Sequence, residues 1–583
     1  MNILGISDVT GNHSHSCVAL LQDGKLTFAL SQERPSRIKN DPQFPTDALQ
    51  LALDYTGLRL QDINCFVCSY PPARYYSSLM QYGIMDLSRA FGGVLVRKPI
   101  TLARYLFPNI RKGLFDPKGT NGLYELGVKK EDFWFVDHHL AHVSAGYFSS
   151  GFDKALAFSY GGFAPHTSGR NVAGAVYFCE GDRIQFIEDI PMFAAGCYYS
   201  AISVALGFKY MQQEGKTMAL AKTADYHDCY DHLRKITSRF RHGKWKKYKH
   251  WVDYIMSPRA DAFLGTKSGR RLSKLIKRYG SECVAAAAQR LWEKNIYRLI
   301  RHYRHMYDTG NIVLTGGTFL NVQINRTIAE LEGVDKIFVH PHTGDGSTTI
   351  GAVIEAHRDL TGSPVRLDLS DTGLGVDYTD EAIENAIRRQ LRKLMFTKLD
   401  NIIDYTAERL AEGKIIGWFQ GREEYGQRAL GHRCILADPR DMELKHRITR
   451  HVKGRENFIP MSPSILVEHG STYFENFDPT PFMTRVYDIK GDKLEEIKPV
   501  SHKDCSARVQ AVDAACYPLF RHLLESFHKL TGMPMLMNTS LNRHGEVIVH
   551  RPEEAISLLL NTAMDELIIG SFAVKKLQGD DTI

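Results

Sequence analysis

Short apolar runs near the start of the chain predict strands. Residues 2–7 predict a buried strand, and VALLQ and KLTFAL, joined by Asp23-Gly24, predict an antiparallel hairpin with a tight turn. The order recurs from residue 154, where ALAFSY, a glycine-containing loop, GAVYF and RIQFIED follow one another. Two such meanders, each followed by helical sequence, predict the α/β fold class, with a duplicated domain and a cleft between its halves.

Predicted strands, glycine loops and helices alternate in the following region. A long helix is expected near 284–306, after which NIVLTGG ends in a turn at Gly316 and Gly317, and KIFVHPHTGDG ends in a loop with Gly344 and Asp345. Because each loop leads into helical sequence, its backbone N–H groups can bind an anion at a helix N-terminus. The pattern predicts nucleotide binding, while Asp345 either reaches into the cleft or caps the helix.

The segment VDHHLAHVSAGYF carries two histidines one helical turn apart. His138 and His142 are separated by four residues, so on a helix both imidazoles lie on one face, with His139 directed elsewhere. This geometry suits a metal ion. The alternative is a pair of capping or core histidines, and the spacing alone does not decide between them.

A domain boundary is predicted near 360–380, where TGSPVRLDLSDTGLG combines Pro, Gly and Asp with little periodicity. We therefore expect one domain over 1–365 and a smaller domain over 366–583. KIIGWFQG predicts the first strand of the smaller domain, because it is a short apolar run that ends at a glycine.

Arginines, lysines and glycines are concentrated after that strand. Glycines there indicate close backbone approach around a ligand, and the planar guanidinium group matches phosphate oxygens. An anion pocket is predicted from Arg422, Arg428, Arg433, Lys453 and Arg455, beside Gly421, Gly426 and Gly431. Further candidate ligands are Arg508, Asn538, Thr539, Ser540 and Asn542, although turn residues give the same pattern.

Length and composition are those of a large globular enzyme, with 583 residues, 43% hydrophobic and 24% charged. We expect a cytoplasmic protein without a membrane partner, because the chain contains no apolar run of about 18 residues and no leader-like N-terminus. Cys65 and Cys68 form a lone CxxC among ten scattered cysteines. Reduced thiols are therefore predicted.

The net charge of +7 is unevenly spread, with strongly basic stretches at 239–250 and 267–278. The favoured interpretation of these stretches is a solvated surface. A basic run interleaved with Trp245 and Tyr248 can also bind RNA through phosphate contacts and stacking. A third alternative is that the stretches receive a phosphorylated substrate.

Several long motifs carry a family resemblance. They are ILGIS, ERPSRIKND, DHHLAH, EGKTMALA, LTGGTFLNVQIN, GDGSTTIGA, WFQGREEYGQRALGHRCILADPR, VKGRENF, ARVQAV and PMLMNTSLN. Through these motifs, residues 1–575 resemble the carbamoyltransferase family, which includes nodulation carbamoyltransferases and the antibiotic O-carbamoyltransferases of aminoglycoside and cephamycin pathways.

The resemblance implies two active domains. The N-terminal domain resembles the metal-binding threonylcarbamoyl transferases with the actin and sugar-kinase core, and the C-terminal domain resembles carbamoyladenylate-forming enzymes. It implies that carbamoyl phosphate and ATP, with Mg²⁺, give carbamoyladenylate and pyrophosphate. The carbamoyl group then passes to a hydroxyl, or an amine, of a small natural-product or sugar acceptor, as in antibiotic biosynthesis. A homodimer is compatible with the resemblance.

The resemblance also implies residue roles. Metal ligands, for iron by family, fall on His138, His142 and Asp345, and catalytic residues on His15, Arg428, Lys453 and Arg455. Nucleotide- or substrate-binding residues fall on Lys216, Gly316, Gly317, Asn321, Gly344, Arg422, Arg433, Arg508, Asn538, Ser540 and Asn542.

The chain departs from the family pattern in its N-terminal domain. Gly161 replaces the remaining metal-binding carboxylate, Ser16 replaces an aspartate and Ala219 replaces a glycine. We therefore expect low metal occupancy, or metal binding that needs nucleotide. Alternatives are an adenylating enzyme with a changed second step, such as ligation or cyclisation, and, least expected, an RNA-modifying enzyme, so a nucleic-acid partner is not expected.

Overall fold

The computed structural model describes residues 1–7, 16–69, 127–128, 133–166, 171–256, 260–456 and 459–577. The chain divides into two compact units. The first unit comprises Met1–Gln32 and Asn40–Leu367, and the second comprises Glu33–Lys39 and Asp368–Ile583. The chain therefore enters the second unit twice.

The N-terminal sheet of the first unit has, in the described residues, five strands in the order β3-β2-β1-β4-β5. They are β1 Asn2–Ile6, β2 Cys17–Gln22, β3 Lys25–Ser31, β4 Cys65–Cys68 and β5 Phe133–Phe135. β2 and β3 form the predicted hairpin. Its turn has φ of 47° at Asp23 and 76° at Gly24, and two positive φ values match the strand twist in such a turn.

The second sheet repeats the arrangement of the first. The next strands are β6 Lys154–Pro165, β7 Asn171–Glu180, β8 Arg183–Pro191, β9 Arg239–Arg241, β10 Lys244–Lys246, β11 Asn311–Thr315 and β12 Lys336–Val339. β9 and β10 form a separate two-stranded sheet in the described residues, and the rest follow the order β12-β11-β6-β7-β8. In both sheets a meander is extended by two parallel strands on one side. The predicted duplication is confirmed.

β6 is longer than predicted. It continues from Tyr160 through Gly161 to Pro165, and its pairing with β7 is interrupted between Tyr160 and Ala164. The predicted loop directly after Tyr160 is therefore wrong. The segment is a bulged strand, because the interruption lets extra residues enter one strand without ending the sheet.

The helices that accompany these sheets come next, and two of those in the first unit cross closely. α1 Glu33–Ser36 belongs to the second unit, and the first contains α2 Thr46–Thr56, α3 His138–Phe148, α4 Cys197–Ala205, α5 Glu214–Leu220, α6 His227–Arg234, α7 Ala260–Gly265, α8 Lys267–Tyr279, α9 Ser281–Arg304, α10 Val322–Ala329 and α11 Gly346–Thr361. A Cβ at Gly351 of α11 would lie 1.7 Å from the carbonyl oxygen of Ala141 in α3. Only glycine permits this contact, which holds the start of α11 beside α3.

The second unit is built on a mixed sheet in the order β13-β22-β21-β14-β15-β20-β16-β19, with β17 and β18 paired separately. Its strands are β13 Leu394–Lys398, β14 Ile416–Phe419, β15 Arg433–Ala437, β16 Ser462–Leu466, β17 Val486–Asp488, β18 Ser506–Arg508, β19 Gln510–Val512, β20 Met535–Ser540, β21 Glu566–Ile569 and β22 Phe572–Lys576. Its other helices are α12 Asp380–Arg388, α13 Ile402–Ala411, α14 Met442–Arg447, α15 Gly470–Tyr473, α16 Pro518–Thr531 and α17 Pro552–Leu560.

The prediction that KIIGWFQG forms the first strand of this unit is wrong. It forms β14, which is fully buried, and β13 precedes it at the edge of the sheet. Only the first residue of β13, Leu394, is buried. Its sequence, LMFTK, has an apolar run of only three residues, one of them buried, which is too short to predict a strand.

Glu33–Lys39 is anchored in the second unit by buried charge. Arg34 lies 3.5 Å from Glu423 and donates to the carbonyl oxygen of Gly426 at 3.0 Å. Glu423 also contacts Nδ1 of His550 at 2.6 Å. Burial raises the pKa of Glu423, but His550, Arg34 and Arg433 outweigh it, and the pKa lies below its ordinary value of 4.5.

We expect Glu423→Gln to lower the free energy of unfolding of the second unit by about 3 kcal/mol at pH 7, because Arg34 then remains buried without its carboxylate. A carboxyl whose pKa is lowered on folding stabilises the protein above its unfolded value near 4.5, and this contribution is lost as the pH falls further. Urea denaturation at several pH values measures the effect. Glu384→Gln, in a surface pair with Arg388, is the control; equal stability of the two variants contradicts the assignment.

Candidate functional site

Asp137 positions the histidine pair by starting α3. Its carboxylate accepts hydrogen bonds from the backbone N–H groups of His139 at 2.9 Å and Leu140 at 3.0 Å, so the helix begins at His138. The rings of His138 and His142 are consequently neighbours, with centroids 4.7 Å apart, and both side chains are buried. The predicted pairing on one helix face is present.

Asp345 brings a carboxylate to the pair. It occupies the N-cap position of α11, as the capping alternative predicted, but its side chain makes no capping hydrogen bond there. Its Oδ1 lies 3.7 Å from Nε2 of His142. One ligand atom from each of His138, His142 and Asp345 lies within 4.8 Å of the others.

Ser347 determines which nitrogen of His142 faces Asp345. The Ser347 hydroxyl donates to the carbonyl oxygen of Gly344 at 3.1 Å, and therefore accepts from Nδ1 of His142, 2.8 Å away. A proton on Nδ1 leaves a lone pair on Nε2, opposite the carboxylate. A shared cation stabilises two electron-pair donors that face each other in this way.

These three residues fit a divalent transition metal. Imidazole and carboxylate atoms bind such ions at about 2.0–2.2 Å, so two ligands of one ion lie about 3–4 Å apart. The separation of 3.7 Å between His142 and Asp345 agrees with this. Two histidines and one carboxylate with open positions suit iron(II) in particular.

Gly161 is the position at which the family pattern has a further carboxylate. Its carbonyl oxygen accepts from the backbone N–H of Gly196 at 2.8 Å. A Cβ at Gly161 would meet only the backbone nitrogen of Gly317, at 3.4 Å, which is ordinary contact. The backbone at position 161 therefore leaves space for a side chain.

The other histidines near this group have different partners. Nδ1 of His139 lies 2.9 Å from the Ser159 hydroxyl, as expected for a ring directed away from the pair, and burial lowers its pKa to about 3. His166 lies 3.0 Å from Asp189. Burial alone would lower the pKa of His166, but its hydrogen bond to Asp189 raises it.

The other predicted site residues of the first unit lie at separate positions along its sequence. Gly316 has φ of 92°, and a Cβ there would lie 2.5 Å from the carbonyl oxygen of Tyr160, so the turn requires glycine. Asn321 caps α10 and contacts Gln289, and Lys216 lies 5.8 Å from the ring centre of Phe208. His15 lies outside the described residues. Nucleotide binding by these residues, Gly317 and Gly344 stays a prediction.

The second unit contains a cluster of positive charge formed by Arg428, Lys453, Arg455 and Arg508, hereafter the cation cluster. Burial, together with the charges of Arg428 and Arg455, lowers the pKa of Arg508 well below its usual range. Burial and the charge of Arg455 likewise lower the pKa of Lys453. Burial also lowers the pKa of Arg428 and of Arg455 to about 10. Within the part of the chain that the structure describes, no carboxylate forms an ion pair with any of the four.

Lys453 brings two of the predicted polar residues to this cluster. Its Nζ donates to the carbonyl oxygen of Ser540 at 2.7 Å and to Oδ1 of Asn542 at 2.6 Å. The Ser540 hydroxyl donates to the same oxygen at 2.6 Å. Arg508 is oriented by the Ser462 hydroxyl, 3.1 Å from its Nε.

Three other predicted binding residues support the fold of this unit. Arg433 is fully buried, donates to the carbonyl oxygen of Gln420 at 2.8 Å and lies 3.6 Å from the ring centre of Phe419. Arg422 donates to the carbonyl oxygen of Gly375 at 2.9 Å. Asn538 donates to the Ser464 hydroxyl at 3.0 Å. These hydrogen bonds hold the side chains within the protein, and direct contact of these residues with substrate stays a prediction.

Sequence reasoning missed Ser347 and Ser462, which orient a candidate metal ligand and a member of the cation cluster. A signal existed for Ser347, since it follows Asp345 by two residues in the first turn of the predicted helix. None existed for Ser462, because it meets Arg508 only through the fold, 46 residues apart.

Comparison with known proteins identifies the family to which the chain belongs. The family model for the carbamoyltransferase N-terminus matches residues 2–354, and the model for the carbamoyltransferase C-terminus matches residues 407–576. The chain belongs to the carbamoyltransferase family and is an enzyme. Membership implies a carbamoyl donor and a small acceptor.

Named relatives agree with this class. The nodulation protein NolNO of Sinorhizobium fredii is 29% identical over 575 residues, which is 98% of this chain and 80% of that protein. The nodulation protein NolO of Bradyrhizobium diazoefficiens is 32% identical over 450 residues, 76% of this chain and 79% of the relative. The 3′-hydroxymethylcephem-O-carbamoyltransferase of Amycolatopsis lactamdurans is 25% identical over 529 residues, 86% of this chain and 93% of that enzyme.

Among solved structures, full-length HypF in its phosphate- and nucleotide-bound form is similar to this chain with a TM-score of 0.33 and 13% identity. The match covers 62% of this chain and 56% of HypF, and its TM-score is too low to support an argument about function. In the described part of the chain, no helix has the length and apolar character needed to cross a membrane.

We expect Gly161→Asp to raise the affinity of the first unit for Fe²⁺ or Zn²⁺ by at least about tenfold, because it adds an anionic ligand. Gly162→Asp is the matched control, since it adds the same charge at the adjacent, exposed position. Anaerobic metal titration with elemental analysis measures both variants. Equal affinity in the two variants would show that position 161 does not face the metal.

Proposed function

We propose that the protein is an ATP- and carbamoyl-phosphate-dependent carbamoyltransferase that acts through carbamoyladenylate. The second unit makes the adenylate, with Mg²⁺ bound to the nucleotide. The first unit then transfers the carbamoyl group to a hydroxyl, or an amine, of a small natural-product or sugar acceptor.

The cation cluster is the observation that supports this proposal most. Its arginines are half-buried and Lys453 is buried, and among the described residues no carboxylate forms an ion pair with them, although the charges of Glu456 and Glu546 partly offset the lowered pKa of Arg455 and of Lys453. Retaining such charges is costly unless an anion binds them. Carbamoyl phosphate and ATP are both strongly anionic, and bringing them together requires concentrated positive charge.

Formation of the adenylate is a two-part step. Water cleaves carbamoyl phosphate to carbamate and inorganic phosphate, and a carbamate oxygen then attacks the α-phosphorus of ATP, with pyrophosphate as the leaving group. Arg428 and Arg508 are suited to bind the phosphate oxygens, because a guanidinium group can donate two parallel hydrogen bonds. Lys453 is held by Ser540 and Asn542 as a fixed donor for developing charge.

Transfer breaks the bond between the carbamoyl carbon and the AMP oxygen and forms a bond to the acceptor oxygen. His138, His142 and Asp345 would hold a divalent metal, which would supply Lewis-acid polarisation of the carbamoyl oxygen. His15 is the family's catalytic histidine and is assigned as the base that takes the hydroxyl proton. A hydroxyl acceptor is supported by the name of the cephem relative, which acts on a hydroxymethyl group.

A second candidate function follows from Gly161. If the group around His138 binds metal too weakly to act in transfer, the adenylate serves another ligation or cyclisation. An adenylate is formed in both cases, but in the second candidate it is either carbamoyladenylate or the adenylate of another acid, and the second step differs.

Incubation of the full chain with ATP and carbamoyl phosphate tests the proposal. We expect pyrophosphate release that depends on carbamoyl phosphate, and carbamoyladenylate detectable by mass spectrometry. Release that occurs only with a different carboxylic acid supports the second candidate. Absence of pyrophosphate with carbamoyl phosphate, in protein that is folded, contradicts the proposal.

We expect Arg428→Ala to lower carbamoyl-phosphate-dependent pyrophosphate release by about 100-fold, because it removes a donor to the anionic substrates. Arg388→Ala removes an arginine from the surface of the same unit and is the control. Steady-state rates and thermal melting of both variants separate a catalytic effect from unfolding. Unchanged release in Arg428→Ala means that the adenylating site lies elsewhere.

A further inference from the structure

The positive charge of the chain is concentrated in one segment of the first unit. Residues 235–280 contain fourteen Lys and Arg residues against two Asp, a net charge of +12. The rest of the chain has 59 Lys and Arg against 64 Asp and Glu, a net charge of −5. The basic character of the protein is therefore local, and carbamoyl transfer as proposed makes no use of it.

α8 presents a row of this charge to solvent. Lys267, Arg270, Lys274 and Lys277 are exposed and recur at intervals of three and four residues, which places them on one helix face. Residues on the opposite side, including Leu272, are buried. The cations consequently point outward because the helix is anchored by its other face.

The segment after β10 extends this row. Nη1 of Arg271 in α8 donates to the Tyr248 hydroxyl at 3.1 Å, which fixes Lys247 and Lys249 beside the helix. Burial lowers the pKa of His250 and the charge of Asp253 opposes this, while the charges of Lys267, Lys249 and Arg271 lower it further, so these cations lie near the ring. The combined surface, hereafter the basic face, consists of Lys247, Lys249, Lys267, Arg270, Lys274 and Lys277.

No carboxylate among the described residues forms an ion pair with the basic face. The aromatic side chains nearby are unsuited to stacking on bases, since Tyr248, Trp251 and Tyr254 are buried and Trp245 is half-buried. Lysine, a mobile point charge, predominates over arginine, whose fork is the preferred group for nucleic-acid phosphates. These features favour a diffuse anionic surface over a nucleic acid.

We propose that the first unit docks through its basic face onto an anionic lipid surface. Clusters of four to eight Lys and Arg on a helix bind anionic lipid headgroups in this way. The net negative charge of the rest of the chain is repelled by the same surface, so the basic face determines which side of the unit approaches it. Contact of this kind needs no membrane-spanning helix, and it revises the expectation of no membrane partner.

Vesicle flotation tests the proposal with the full chain. We expect binding to phosphatidylcholine vesicles that contain about 30% phosphatidylglycerol in about 0.1 M salt, release in about 0.5 M salt, and no binding to phosphatidylcholine alone. Lys274→Glu with Lys277→Glu should weaken binding by at least about fivefold for each reversed charge. Thermal melting checks that the variants remain folded.

Lys393→Glu with Lys529→Glu is the matched control, because it reverses two exposed lysines of the second unit and changes the net charge equally. Retained vesicle binding by this control, together with weakened binding by Lys274→Glu with Lys277→Glu, supports the proposal. Equal loss in both double variants overturns it, because only net charge then matters. Failure to bind anionic vesicles also overturns it, and binding of duplex RNA in the same buffer would then assign the basic face to a nucleic acid.

Discussion

Repulsion among Arg428, Lys453, Arg455 and Arg508 is the constraint on which the second unit depends. Each cation is taken at least partly out of water, and burial lowers the pKa of all four, while neighbouring charges of the cluster lower the pKa of Lys453 and of Arg508 further. The fold compensates with neutral acceptors, such as Ser540 and Asn542 around Lys453. Neutral acceptors satisfy hydrogen bonds but leave the positive charge in place, and a charge of this kind is suited to attract anionic ligands.

In the same unit, the buried arginines Arg34 and Arg433 have a different environment. Arg34 and Arg433 lie near Glu423, whose lowered pKa reflects both charges. Buried arginines with a carboxylate hold the fold together, whereas those of the cation cluster have no such partner among the described residues. This contrast separates supporting arginines from those suited to bind substrate.

Sequence patterns predicted the repeated meander and the hairpin at Asp23-Gly24, because both are local and periodic. They also predicted that His138 and His142 share a helix face. They did not predict β13, which buries too little to be recognised, or the contact of Lys453 with Ser540, 87 residues away. Nor did they separate Arg433 from Arg428, since residue type alone does not reveal which arginine the core encloses.

In the first unit the histidine pair of the family pattern is present, whereas Gly161 stands where that pattern has a carboxylate. The crossing of α3 and α11 at Gly351 holds Asp345 close to His142, so three ligand atoms converge without the carboxylate that Gly161 replaces. The basic face on α8 belongs to the same unit. The proposals on transfer to the acceptor, metal binding and attachment to a surface therefore all concern this unit, while the proposed activation of the carbamoyl group concerns the other.

Isotope exchange between ATP and labelled pyrophosphate reports reversible adenylate formation without any acceptor. We expect exchange that requires carbamoyl phosphate and is lost when the cation cluster is neutralised. Exchange that is absent with carbamoyl phosphate, or that persists after the cluster is neutralised in folded protein, would contradict this expectation.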